Sequence, residues 1–126
     1  MKRLIFDLDE TITLSAHDGY ANAVPNLALI ARLREYQRAG FEIVISTSRN
    51  VRTFGGNIGK INAHTLPVIL EWLSRHGVPY DEIYVGKPWC GMHGFYIDDK
   101  AVRPSEFLRY SYADIRALLA AEQREA

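Results

Sequence analysis

The sequence predicts an α/β sandwich on a mostly parallel sheet, and three observations carry that reading. Short apolar runs alternate with longer segments of helical spacing, a succession that closes as parallel strands joined by right-handed crossovers. Polar and charged residues follow each apolar run directly, where sheets of this kind bind ligands, outside the carboxyl ends of their strands. The 126 residues, 48% hydrophobic and 24% charged, have the balance of one globular domain over 1–126.

The first run, Leu4, Ile5 and Phe6 within Arg3 to Leu8, has no polar face and suits a strand buried on both sides. Thr11 to Val24 is polar around the turn signal Asp18-Gly19 and reads as a hairpin or flap. Pro25 opens a helix in which Leu27, Ile30, Leu33 and Tyr36 recur at helical spacing before Gly40 closes it. Phe41 to Ser46 is a second buried strand, and Arg52 to Asn62, rich in glycine and asparagine, reads as irregular. Leu66, Ile69, Leu70 and Leu73, with Trp72 as a core residue, mark a helix ending at His76-Gly77. Glu82 to Val85 is a third strand, and Gly94 to Ile97 a fourth that runs into Asp98-Asp99. Ser111 and Asp114 form a capping-box pattern for a last helix, Tyr112 to about Gln123. No internal repeat or low-complexity tract interrupts this order.

Fifteen Lys and Arg offset fifteen Asp and Glu. With no net field to hold a polyanion, nucleic acid is not an expected partner. The single cysteine, Cys90, makes no intrachain disulfide and cannot supply a Cys-based zinc site. The N-terminus reaches Asp7 after three apolar residues, too few for a signal peptide, and no run approaches the length of a membrane span. A cytoplasmic location without membrane partners is expected. The sequence leaves open whether a homo-oligomer forms.

The chemistry concentrates after the apolar runs. Asp7 and Asp9, in DLDET, follow the first. A carboxylate suits nucleophilic phosphoryl transfer, because it forms an acyl phosphate that water can later hydrolyse. A second, protonated carboxyl beside it can supply the leaving alcohol with its proton. Alone, the pattern is more readily a solvated acidic turn or an N-cap, but the second strand also ends in Ser46-Thr47-Ser48-Arg49, hydroxyls and a guanidinium able to grip phosphate. Lys87 follows the third strand and can neutralise phosphate, and Asp98-Asp99 follow the fourth with the oxygen ligands Mg²⁺ prefers.

DLDET, IST47SRN, GK87PW and FYIDD together resemble the haloacid dehalogenase superfamily of phosphohydrolases, whose motifs run in that order. The resemblance implies a Rossmann-like three-layer sandwich with the first strand central. It implies Asp7 as nucleophile and Mg²⁺ ligand, and Asp9 as general acid/base whose backbone carbonyl also binds the metal. Thr47 and Lys87 would hold the transferring phosphoryl group. Asp99 is the favoured direct metal ligand of the acidic pair, with Asp98 supporting it, and Thr11 would order the nucleophile loop.

Too few residues separate the motifs for a cap domain. The wording of SRNVRTFGGNIGKINAHTLPVILEWL, YDEIYVGKPW and YIDDKAVRPSEF is similar to small phosphatases of capsular polysaccharide biosynthesis. The expected substrate is therefore a small phosphate ester, a phosphorylated sugar or sugar intermediate. Ser48, Arg49 and Asn50, beside Thr47, are the expected substrate contacts, with Arg52 to Asn62 either reading the sugar or serving as a solvated connection. The alternative from another class is a non-catalytic phosphate-binding or receiver-like signalling domain. In receivers, however, the acidic pair comes first and the lysine last.

Overall fold

The computed structural model describes residues 2–125, which form two compact units, 2–89 and 90–125. The first is α/β. Strands β1 (Arg3–Phe6), β4 (Glu42–Ser46) and β5 (Glu82–Tyr84) form a parallel sheet in the order β1-β4-β5, with Ile5 opposite Val44 and Ile45 opposite Ile83. Strands β2 (Thr13–Ser15) and β3 (Val24–Pro25) pair antiparallel as the expected flap.

Side chains alternate faces along a strand. Ile43, Val44 and Ile45 are all buried, so both faces of the sheet are covered at β4. Helix α1 (Leu27–Arg38) starts where the Asn26 side chain accepts the Leu29 N–H at 3.2 Å, satisfying one orphan donor of its first turn. Its buried face is Leu29, Ile30, Leu33 and Tyr36, while Leu27 points to solvent. Arg34 ties this helix to the end of the helix at Leu66–Arg75 by donating to the carbonyls of His76 and Gly77 at 2.9–3.1 Å.

Several sequence expectations change. The stretch from Arg52 to Asn62 is not wholly irregular. Asn57 accepts the Lys60 N–H at 3.1 Å and opens α2 (Ile58–Lys60), which passes through a wide turn at Ile61–Thr65 into α3 (Leu66–Arg75). The first strand is neither central nor buried on both faces. Among the described residues it stands first in the three-stranded order, and Ile5 is 65% exposed.

The second unit holds α4 (Pro104–Arg109) and α5 (Tyr112–Glu125). The capping box is present, with Asp114 N–H donating to Ser111 Oγ at 3.1 Å and Ser111 N–H to Asp114 Oδ2 at 3.4 Å. Helix α4 carries a second such signal, Arg103 N–H to Glu106 Oε1 at 2.9 Å, behind Pro104. The fourth strand expected at Gly94 to Ile97 does not form. The run is apolar enough, but it belongs to neither sheet among the described residues. Among the described residues no helix is long and apolar enough to cross a membrane.

Candidate active site

At the end of β1 the chain leaves the sheet at Asp7 and makes one wide turn over Leu8–Ile12, with Glu10 in the left-handed region (φ 61°). Leu8 and Ile12 are buried and anchor this turn, which leaves Asp7 and Asp9 half-exposed at its rim. Two polar groups address Asp7. Lys87 Nζ lies 3.7 Å from Oδ1, and the Thr11 hydroxyl donates to Oδ2 at 3.4 Å. Burial pushes the Asp7 carboxyl above its ordinary range, against the Lys87 charge and the Leu8 N–H, which favour the carboxylate.

Asp9 is held differently. Arg49 donates to both of its oxygens, from Nε to Oδ2 at 3.1 Å and from Nη2 to Oδ1 at 2.7 Å. This fork is the strong bidentate form of a carboxylate contact. Arg49 is itself buried, with its guanidinium 4.2 Å from the ring centroid of Tyr20 in the flap. Its third nitrogen, Nη1, has no hydrogen-bond partner among the described residues. Expected as a substrate contact, Arg49 is thus turned inward onto Asp9.

Thr47 is buried at the end of β4. Its N–H donates to the Tyr84 carbonyl at 2.9 Å, its carbonyl accepts the Lys87 N–H at 3.1 Å, and its hydroxyl accepts the Arg49 N–H at 3.1 Å. These bonds continue the sheet past its strands and set Thr47 and Lys87 side by side. Ser48 is half-buried, its carbonyl taken by the Val51 N–H at 3.0 Å. Asn50, left-handed at φ 61°, accepts from the Thr65 hydroxyl at 2.7 Å and donates to Thr53 at 3.2 Å, so its amide is engaged in the loop. The Arg52 guanidinium lies 5.4 Å from the Trp89 ring.

The structure therefore brings together Asp7, Asp9, Thr47, Lys87 and Arg49 through chain contacts at one sheet edge. Asp98 and Asp99 belong to the second unit. There Asp98 accepts the Lys100 N–H at 3.0 Å and Asp99 accepts from Gln123 at 2.7 Å, a bond that holds the Asp99 carboxyl below its ordinary range. No cluster of three or more His, Cys, Asp or Glu able to hold a metal occurs among the described residues. The half-buried Asp7 carboxylate, whose charge burial disfavours, is the kind of hard oxygen ligand that a divalent cation takes.

A cleft of about 340 Å³ opens between Asp9 and Glu10 on one side and Ser15, His17 and Tyr20 of the flap on the other. Sequence reasoning missed Tyr20 and the Arg49–Asp9 pairing. Only the aromatic residue inside a polar flap hinted at the former.

The chain matches no family model and no curated protein. It is similar to a Vibrio cholerae structural-genomics target solved by crystallography, with 61% identity over 97% of this chain and 99% of that one and a TM-score of 0.94. The chain belongs to the family of that Vibrio cholerae protein. The relative's designation states no activity, so the likeness carries fold and family, and function rests on the site.

Proposed function

We infer that the protein is a phosphomonoester hydrolase of the haloacid dehalogenase type, a Rossmann-like three-layer sandwich without a cap, working through an aspartyl phosphate on Asp7. The observation that carries this is the convergence at the strand ends. Asp7 has Lys87 at 3.7 Å, Asp9 is held in an Arg49 fork, and Thr47 is bonded to both the Lys87 and Arg49 backbones.

In the first step an Asp7 oxygen attacks phosphorus, the bond to the ester oxygen breaks, and the proton carried by the Asp9 carboxyl passes to the leaving alkoxide. In the second, Asp9 as carboxylate takes a proton from water, whose oxygen attacks phosphorus. The acyl phosphate then breaks to restore the Asp7 carboxylate and free phosphate. Lys87 and the Thr47 hydroxyl address the phosphoryl oxygens, where charge stabilisation is worth most. Asp7 and the Asp9 carbonyl would hold Mg²⁺, whose contribution when bound would be to neutralise charge on the phosphoryl group.

Both Asp9 oxygens are engaged by Arg49. One donor is released as Asp9 serves the leaving group while the other keeps the carboxyl aimed, so the fork positions the acid and Tyr20 links it to the flap. The cleft between Asp9 and the flap offers Ser15, Glu10 and His17 to a leaving group, which favours a polyhydroxylated alcohol such as a sugar.

The test is phosphate release from sugar phosphates, nucleotides and an aryl phosphate, with Mg²⁺ or chelator. Native protein should release phosphate only with the metal and Asp7→Asn should not. A folded, Mg²⁺-loaded native chain that turns over no ester would leave the phosphate-binding reading in its place.

A further inference from the structure

Lys87 reaches Asp7 from a segment, 85–89, that belongs to no helix or strand. One backbone bond ties it to the sheet, the Lys87 N–H to the Thr47 carbonyl at 3.1 Å. The ammonium stands at the end of a flexible four-carbon stem, so its aim is set by how firmly the backbone beneath it is held.

The loop after β4 covers a neighbour of Lys87 on each side. Gly86 turns in the left-handed region (φ 80°), and a Cβ there would lie 2.1 Å from Ile58 Cδ1 and 3.6 Å from Ile58 Cγ1. The tip of Ile58 thus occupies the place that a side chain at position 86 would take, a close approach that glycine permits. On the other side the Arg52 guanidinium lies 5.4 Å from the centroid of the Trp89 ring, within the range of a cation–π contact.

The loop that makes these two contacts is held in shape. The Gly56 N–H donates to the Val51 carbonyl at 2.8 Å and the Asn57 N–H to the Phe54 carbonyl at 3.0 Å, while the Asn57 side chain accepts the Lys60 N–H at 3.1 Å. Ile61, next in the chain, is fully buried and pins the far end. Ile58 is 46% exposed, so its seat on Gly86 is a local contact and not part of the core.

We propose that Ile58 and Arg52 are positioning residues for Lys87, clamping its segment at Gly86 and Trp89 so that the ammonium is held toward Asp7 and the transferring phosphoryl group. This gives the stretch from Arg52 to Asn62 a task distinct from reading the sugar or merely connecting two elements. The clamp follows from the contacts, whereas its effect on catalysis rests on the phosphatase reading.

Amide hydrogen exchange on the full chain reads the clamp without any turnover. Ile58→Val removes only the Cδ1 methyl from Gly86, and Arg52→Ala removes the cation from Trp89. Each should speed exchange of the Lys87 amide by about three- to tenfold, as local opening becomes easier, with the Ile45 amide of β4 unchanged. Arg52→Lys, which keeps a cation over the ring, should restore the native rate. Unchanged exchange at Lys87 in either Ile58→Val or Arg52→Ala, or an equal rise at Ile45, overturns the clamp.

Phosphate release from an aryl phosphate with Mg²⁺ is then compared for Ile58→Val and Arg52→Ala in the native and Lys87→Ala backgrounds. With Lys87 present each should lower kcat/KM by about five- to tenfold, and without it by less than about twofold, because nothing is left to aim. Where residual turnover is too slow, the dissociation constant of inorganic phosphate gives the same comparison. Losses of equal size in both backgrounds overturn action through Lys87. Faster Lys87 exchange in the variants of a native chain that hydrolyses no ester removes the phosphatase reading and leaves the clamp standing.

Discussion

Arg49 holds Asp9 by both carboxylate oxygens, at 3.1 and 2.7 Å, from a buried position behind the strand ends. The two residues follow the ends of strands that are neighbours in the sheet, so the fork ties the turn after β1 to the loop after β4.

If the fork aims the acid, its loss should depend on how badly the leaving group needs a proton. Arg49→Gln should lower kcat/KM for an alkyl phosphate by about 100-fold, within the usual worth of general acid catalysis. An aryl phosphate, whose phenolate leaves unaided, should fall by about tenfold at most. Steady-state kinetics on the two esters, with a thermal melt to confirm folding, check this. Equal losses on both would mean that Arg49 merely supports the structure.

Tyr20 stacks on the face of the Arg49 guanidinium at 4.2 Å, which a phenyl ring does as well as a phenol. Tyr20→Phe should therefore keep near-native turnover. Tyr20→Ala removes a cation–π contact of about 0.5–2 kcal/mol, corresponding to about a two- to thirty-fold loss on the alkyl ester. The comparison of the two variants is decisive, because a role for the hydroxyl would make Tyr20→Phe lose activity alongside Tyr20→Ala.

What was legible in the sequence was local. Asp7, Thr47 and Lys87 could be placed because each follows an apolar run that stops abruptly, and the Ser111–Asp114 cap because both partners lie within one turn. Arg49 was visible as a residue, but its partner is forty positions away and is chosen by the register of β1 on β4. Gly94 to Ile97 shows the same limit from the other side. Its composition is that of a strand, yet strand formation depends on an edge that the local sequence does not specify. Helix α4 was missed although Pro104 and Glu106 stand where a first turn wants them.

The raised pKa of Asp7 makes a signed prediction for metal-free protein. Folding favours its protonated form, so the stability this gives is complete below the unfolded value near 3.8 and is lost as pH rises through the folded value. At neutral pH the buried charge is a burden, and Asp7→Asn should melt higher than the native chain in chelator. The gap should shrink as the pH falls through the carboxylate range. Melting curves across pH check it, and a gap that widens in acid would show that Lys87 outweighs burial at this carboxylate.

The flap also has a root in the core. Trp72 of α3 is buried and donates from Nε1 to the Ala23 carbonyl at 2.9 Å, just before β3. Trp72→Phe keeps an aromatic ring but leaves that carbonyl without its donor and opens space beside it. An unpaired buried acceptor costs about 1–3 kcal/mol, and the missing ring volume adds to it. Denaturant unfolding should show this loss in midpoint. Because Ala23 closes the segment that carries Tyr20, limited proteolysis between His17 and Tyr20 should quicken in the same variant. A lowered midpoint with unchanged cleavage would mean that the bond stabilises α3 without restraining the flap, and Tyr20 would then be held over Arg49 by the stacking contact alone.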